Sequence, residues 1–241
     1  MADFEDVRRE LENLSIFMSK DLGGRNVIEI ITVPLPEGIK DELYFQKLVA
    51  WCYVAFVEVF PIPLKQLANL IRANDGAGHR LLVETKDVVQ ALRTLRSHNL
   101  AKKSVSNQRQ IALAEAWFVS NGGLPLSWEA CCTSLAGRVL EVFRLLGVTW
   151  KDAVASEDDR AIFLENLLLA IDGDWPAHAF DAAVAEAATS IGLVDFDVVA
   201  YRLTRIENWR KLAALFCDRE VAMQAITRAI TQELKTIFGS D

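Results

Sequence analysis

The stretch Val89-Gln90-Ala91-Leu92-Arg93-Thr94-Leu95-Arg96-Ser97-His98-Asn99-Leu100 decides how the chain is read. Together with Val88, the residues Val89, Leu92 and Leu95 recur at intervals of three and four, the period of one face of an α-helix. That face should turn toward a core. Arg93 and Arg96 lie one turn apart and can share a surface. Five residues rotate an ideal helix by about 140°. His98 therefore points well away from Arg93 unless the helix ends near Ser97 or two copies of the segment meet. Asn99 suits such an ending, because asparagine tolerates the left-handed conformation found at helix C-termini.

The same period extends outward over most of the chain. The pattern predicts helices over 3–20, 39–60, 63–74, 85–98, 107–120, 126–147, 157–171, 176–191, 196–216 and 219–238, an all-α helical bundle. The breaks are chemical. Pro61 and Pro63 end one helix and start another, Gly76 and Gly78 mark a loop, and Asn121-Gly122-Gly123 precedes Pro125. Asp218 is placed to cap the last helix. Residues 26–33 are the one strand-like run, closed by Pro34 and Pro36; a lone strand needs a partner, and this one either pairs across a dimer or serves as an extended linker. The short acidic segment 148–158 is the best internal boundary. It divides a motif-bearing helical domain over 1–147 from a C-terminal helical region over 148–241, which could also pack as one unit with the first.

The chain has 241 residues, is 51% hydrophobic and carries a net charge of -7. That is ample for a sizeable core and unlike a protein that simply coats nucleic acid. The charge is uneven. Residues 80–109 hold Arg80, Lys86, Arg93, Arg96, Lys102, Lys103 and Arg109 against Glu84 and Asp87, a local +5 that leaves -12 on the rest. A positive patch on an acidic body can steer an anion to one place; the plain alternative is a solvated helix face beside a basic loop. Met1–Glu10 carries four acids and no apolar run, unlike a signal peptide. The apolar run Leu48–Val57 is too short to span a bilayer and reads as a buried helix. These features point to a cytoplasmic protein without a membrane partner.

Several chemistries find no support. There is no phosphate-binding P-loop, no dinucleotide fingerprint and no nucleophile elbow. Cys52, Cys131, Cys132 and Cys217 lack zinc-site spacing and read as buried thiols in a reducing compartment. Asp172, Asp174, Asp195 and Asp197 sit near helix starts, where the dipole favours carboxylates, and no metal or cofactor is expected. The six tryptophans read as core fillers rather than as the lining of a small-molecule pocket. Of three histidines, His178 reads as structural and His79 lies in a glycine-containing loop beside Arg80. That leaves Arg93 and His98, whose types suit phosphodiester chemistry. Histidine can take and return a proton near neutrality. Arginine can hold two phosphate oxygens and stabilise charge as it builds. In RNA the neighbouring 2′-OH is the nucleophile, so no metal is required.

On these residues the sequence resembles the HEPN superfamily, all-α proteins whose ribonuclease members carry an R-x4-6-H motif at a helix end. Arg93-Thr94-Leu95-Arg96-Ser97-His98-Asn99-Leu100 is similar to the motif as it stands in several bacterial members. The downstream pattern Ala116-Trp117-Phe118, Asn121-Gly122-Gly123, Pro125, Trp128, Cys131 resembles segments that follow it. The likeness covers about 88–132. It implies a homodimer with two motifs facing one RNA-binding cleft, and metal-independent cleavage of tRNA or mRNA to a 2′,3′-cyclic phosphate and a 5′-hydroxyl. It also implies a role as a toxin or antiphage defence effector. Arg93 and His98 carry over as the motif pair; Arg96 and Asn99 would assist, and Lys102, Lys103 and Arg109 would guide the RNA backbone. The family often has Asn, Asp or His after the motif arginine, where this chain has Thr94. Other members are inactive, which makes a non-catalytic interaction or regulatory subunit of a toxin or defence complex the alternative.

Overall fold

The computed structural model describes residues 2–97, 105–173, 175, 177–216 and 218–238. The described residues form eleven α-helices and one 3-10 turn, with no strand, so the fold is all-α. The chain separates into two compact units, Met1–Leu167 and Leu168–Asp241.

The first unit is organised around one long helix, α6 (Trp128–Ala153), against which α1 (Phe4–Asp21), α2 (Glu42–Val57), α3 (Pro61–Asn74), α4 (Gly76–Ser97) and α5 (Val105–Gly122) all pack. Its buried stripe runs through Cys131, Leu135, Val139, Phe143, Leu146 and Trp150 at three- and four-residue intervals, which is why a single helix can serve as the core's axis. Ser127 starts it by accepting the Ala130 amide. The α1 start is a reciprocal cap, with Asp3 and Asp6 each accepting the other's backbone N–H at 3.1 Å. The helix-forming run Leu48–Val57 sits in α2, where Leu48, Trp51, Cys52, Ala55 and Phe56 are buried. No single helix is long and apolar enough to cross a membrane; α2 and α3 pass only as a pair bent by 78°.

Three readings change in the folded chain. Gly76 and Gly78 do not form a loop but open α4, nine residues ahead of the expected start at 85. The Asp75 carboxylate accepts the backbone N–H groups of Ala77 and Gly78 at 3.0 and 2.9 Å, supplying the cap that starts the helix early. Residues 26–33 form no strand. The described chain holds one backbone hydrogen bond from this run to another segment, Glu29 N–H to the Val59 carbonyl at 2.9 Å, and one bond is too little for a ladder. The predicted helix over 196–216 is two, α9 (Val198–Leu203) and α10 (Ile206–Ala213), with Thr204 turning its hydroxyl onto the Tyr201 carbonyl at the break. At the expected boundary, Val148–Ala153 are the last residues of α6, and Trp150 is 1% exposed and donates its indole N–H to Asp21 at 2.8 Å. The next helix, α7 (Glu157–Gly173), contains the division between the units.

The second unit comprises the 3-10 turn Ala177–Phe180, α8 (Asp181–Ser190), α9, α10 and α11 (Arg219–Phe238). Its core joins Trp175, Phe180, Val184, Tyr201, Trp209, Ile226, Ile230 and Leu234. Asp218 caps α11 as the sequence indicates, accepting the Val221 amide at 2.9 Å.

Candidate functional site

The candidate site is built on α4. Its inner face buries Leu82, Thr85, Val88, Val89, Ala91 and Leu92, following the period read from the sequence as far as Leu92, while Leu95 is only half-buried. Thr85 is the single buried polar residue of the described core. Its hydroxyl donates to the Leu81 carbonyl at 2.6 Å and accepts from Arg138 Nε at 3.0 Å, while Arg138 also donates to Glu84 at 2.6 Å. This pins α4 to α6 through a hydroxyl that both donates and accepts, so burying it costs little.

Arg93 stands on the outer part of α4, half-buried. Its guanidinium carbon lies 4.0 Å from the centroid of the Tyr53 ring on α2, within the range of an attractive cation–π contact. That contact holds the guanidinium against the Tyr53 ring. Thr94, beside it, spends its hydroxyl on the Gln90 carbonyl at 2.7 Å, a local back-bond that leaves the side chain on its own helix. Arg96 belongs to the last described turn of α4. His98, Asn99, Lys102 and Lys103 lie outside the described residues. Arg109 is exposed on α5. The structure thus describes one member of the motif pair and shows what orients it.

The remaining candidates fall elsewhere. His79 is in the first turn of α4, half-buried, with its backbone N–H donating to the Asp75 carbonyl at 2.9 Å, rather than in a loop. His178 is exposed in the 3-10 turn of the second unit. Asp197 caps α9 through the Ala200 amide at 2.9 Å, and Asp195 takes a left-handed conformation with φ 56°. Among the described residues no group of His, Cys, Asp or Glu is arranged to hold a metal. Cys52, Cys131 and Cys132 are buried and form no disulfide with one another; Cys217 lies outside the described residues. Burial, then the neighbouring Cys131, pushes the Cys132 thiol up to about 12, which makes it a poor nucleophile. Five tryptophans, Trp51, Trp117, Trp150, Trp175 and Trp209, are buried.

The aromatic pattern downstream of the motif is a packing device. Trp117 stacks on Phe45 with ring centroids 5.7 Å apart, and Trp128 meets the same ring at 5.6 Å. Gly122 lies under Leu126 and Cys131, where an added Cβ would stand 2.3 and 2.7 Å from their atoms. These residues close α5 against α6 around α2.

Two concave surfaces of the first unit differ in charge. A cleft of about 620 Å³ among α3, α6 and α7 carries Asp75, Asp152 and Asp159 and no cation, the wrong sign for a phosphate. A groove of about 370 Å³ among α2, α3 and α4 carries Lys65 and Lys86 and no carboxylate. Tyr53 and Lys65 were not singled out in the sequence: one sits in an apolar run and the other on a helix with no motif, and nothing local ties either to α4.

No family model, curated protein or solved structure matches the chain.

Proposed function

We propose that this chain is a metal-independent endoribonuclease in which Arg93 and His98 form the reacting pair. The reading rests on one observation above the others. The Arg-x4-His segment falls in the basic stretch of an acidic chain, on a helix whose inner face is packed and whose Arg93 is oriented by Tyr53. In the proposed reaction His98 takes the proton from a ribose 2′-OH, and the oxygen attacks the adjacent phosphorus. The new O2′–P bond replaces the P–O5′ bond, and the leaving oxygen takes up a proton. The products are a 2′,3′-cyclic phosphate and a 5′-hydroxyl. Arg93 holds the non-bridging oxygens and stabilises the charge that builds on them. Arg96, Asn99, Lys102, Lys103 and Arg109 assist binding along the RNA. A dimer bringing two motifs together meets the rotational separation of Arg93 and His98 on a single helix. The biological setting that fits such an activity is a toxin or antiphage defence effector acting on tRNA or mRNA in the cytoplasm.

The test is incubation of wild-type protein, Arg93→Ala and His98→Ala with total RNA and tRNA in EDTA, with mapping of product ends. Cleavage by wild type alone, leaving cyclic-phosphate ends, is the expected result. Cleavage unchanged in His98→Ala overturns the reading.

A second reading is favoured by the same Tyr53 contact. An arginine engaged with a ring on a neighbouring helix also serves as a brace. In that case the protein is a non-catalytic helical subunit that docks a partner of a toxin or defence complex through its charge asymmetry. Absence of cleavage by wild type, with a partner protein co-purifying only when the basic stretch is intact, distinguishes it.

A further inference from the structure

The groove among α2, α3 and α4 has a composition suited to one kind of occupant. Lys65 of α3 and Lys86 of α4 both line it, no carboxylate does, and neither ammonium forms an ion pair within the described residues. Between the lysines the wall is apolar and partly open, with Val57 38% and Val83 41% exposed. The amides of Asn69 and Gln90 complete the lining. A volume of about 370 Å³ lies within the roughly 300–1,000 Å³ of sites that hold a small organic group.

The groove shares its helix with Arg93. Lys86 and Arg93 are seven residues apart, which on an α-helix places them within about 20° of one stripe and about 10.5 Å apart along the axis. Gln90 lies between them. A cation, an amide and a second cation thus follow one another along the outer side of α4.

We propose that this groove is the path of a single-stranded RNA segment adjoining the cleaved phosphate, a proposal that rests on the ribonuclease reading of Arg93 and His98. Lys65 and Lys86 hold backbone phosphates. One unstacked base lies against Val57 and Val83, with Asn69 and Gln90 presenting donors and acceptors to its edge. The apolar wall is what selects a single strand. A duplex keeps its base faces stacked inside and offers a wall of this kind only polar base edges, sugar and phosphate, whereas an unpaired base has a face to bury.

The test uses the full chain carrying His98→Ala, so that bound RNA survives, and fluorescence anisotropy with a labelled single-stranded RNA and a hairpin duplex at several salt concentrations. Lys65→Ala/Lys86→Ala should flatten the slope of log affinity against log salt by about 1.4, two phosphate contacts at about 0.7 each for a single strand. Ala68→Phe fills the groove without changing charge and should weaken single-strand binding at least tenfold while leaving the weaker hairpin binding unchanged; thermal melts confirm that it folds. The proposal is overturned if no single strand binds, if the hairpin binds as tightly, or if the lysine pair or Ala68→Phe leaves single-strand binding as it was. Cleavage is read separately with His98 intact. Groove-dependent binding without Arg93- and His98-dependent cleavage removes the catalytic reading and keeps the groove; cleavage that ignores the groove variants does the reverse.

Discussion

Arg93 and Tyr53, forty residues apart in the chain, meet with 4.0 Å between the guanidinium carbon and the ring centroid, and this contact decides where the one described motif residue points. Tyr53→Leu should lower single-turnover RNA cleavage in EDTA, and Tyr53→Phe should retain it, because the ring face rather than the hydroxyl makes the contact. The loss of stability from Tyr53→Leu should be about 0.5–1 kcal/mol for a contact of this exposure. Equal stability loss in chemical denaturation with no change in cleavage would identify the contact as a brace alone.

Gly76 and Gly78 open the same helix and should respond oppositely to alanine. A Cβ at Gly76 meets nothing within 4 Å, whereas one at Gly78 stands 2.3 Å from the capping carboxylate of Asp75 and 3.0 Å from Leu145. Gly76→Ala is expected to be neutral or to stabilise by up to about 1 kcal/mol. Gly78→Ala should cost about 1–2 kcal/mol, since it displaces a cap and crowds the half-buried Leu145 side chain. Urea unfolding midpoints of the two variants against wild type check the contrast.

The Cys132 thiol is held at about 12 by burial and by Cys131. An unfolded thiol loses its proton near pH 8.5, so above that pH the unfolded state binds fewer protons than the folded one. The stabilisation is complete below about pH 8.5 and is lost as pH rises toward the folded value. Tyr201, pushed up to about 12 by burial and then by the Glu233 carboxylate, adds the same sign in the second unit. Unfolding midpoints at pH 7.5 and pH 10 should therefore fall for wild type and fall less for Cys132→Ala. An identical decline in both would remove Cys132 from the account.

In the second unit one Arg202 nitrogen donates to both oxygens of Asp181 at 2.6 Å, and the Arg202 side chain is 14% exposed. Asp181→Asn leaves that cation enclosed without its counter-charge. The expected loss is about 1–3 kcal/mol, below that of a fully buried pair because Asp181 is 35% exposed. Arg202→Met/Asp181→Leu should recover part of it, a coupling that a double-mutant cycle measures.

The helices of this chain were legible wherever their cause is local. The 3.6-residue period of α4, the proline breaks before α3 and the Asp218 cap of α11 are short-range chemistry, and the structure follows them. Glycine at 76 and 78 suggested a loop because its usual meaning is conformational freedom, whereas a Cβ at Gly78 would press on the Asp75 and Leu145 side chains. The 26–33 run has the composition of a strand, but a strand is defined by a partner that no local pattern specifies. The candidate site divides along the same line. Arg93 stood out by residue type and spacing, and the stretch bearing His98 lies beyond the described end of α4.

By itself the sequence determined an all-α chain, its buried cysteines at 52, 131 and 132, its buried face on α4 and a basic stretch centred on Arg93. Those depend on periodicity, hydrophobic transfer and charge, which act on neighbours along the chain. Only the tertiary structure decided that Tyr53 orients Arg93, that Arg138 satisfies Thr85, and that Lys65 and Lys86 share one groove. Each of these joins residues from different helices. Their meeting is set by how α2, α3, α4 and α6 pack, a cooperative outcome of burying many side chains at once rather than of any segment's own preference.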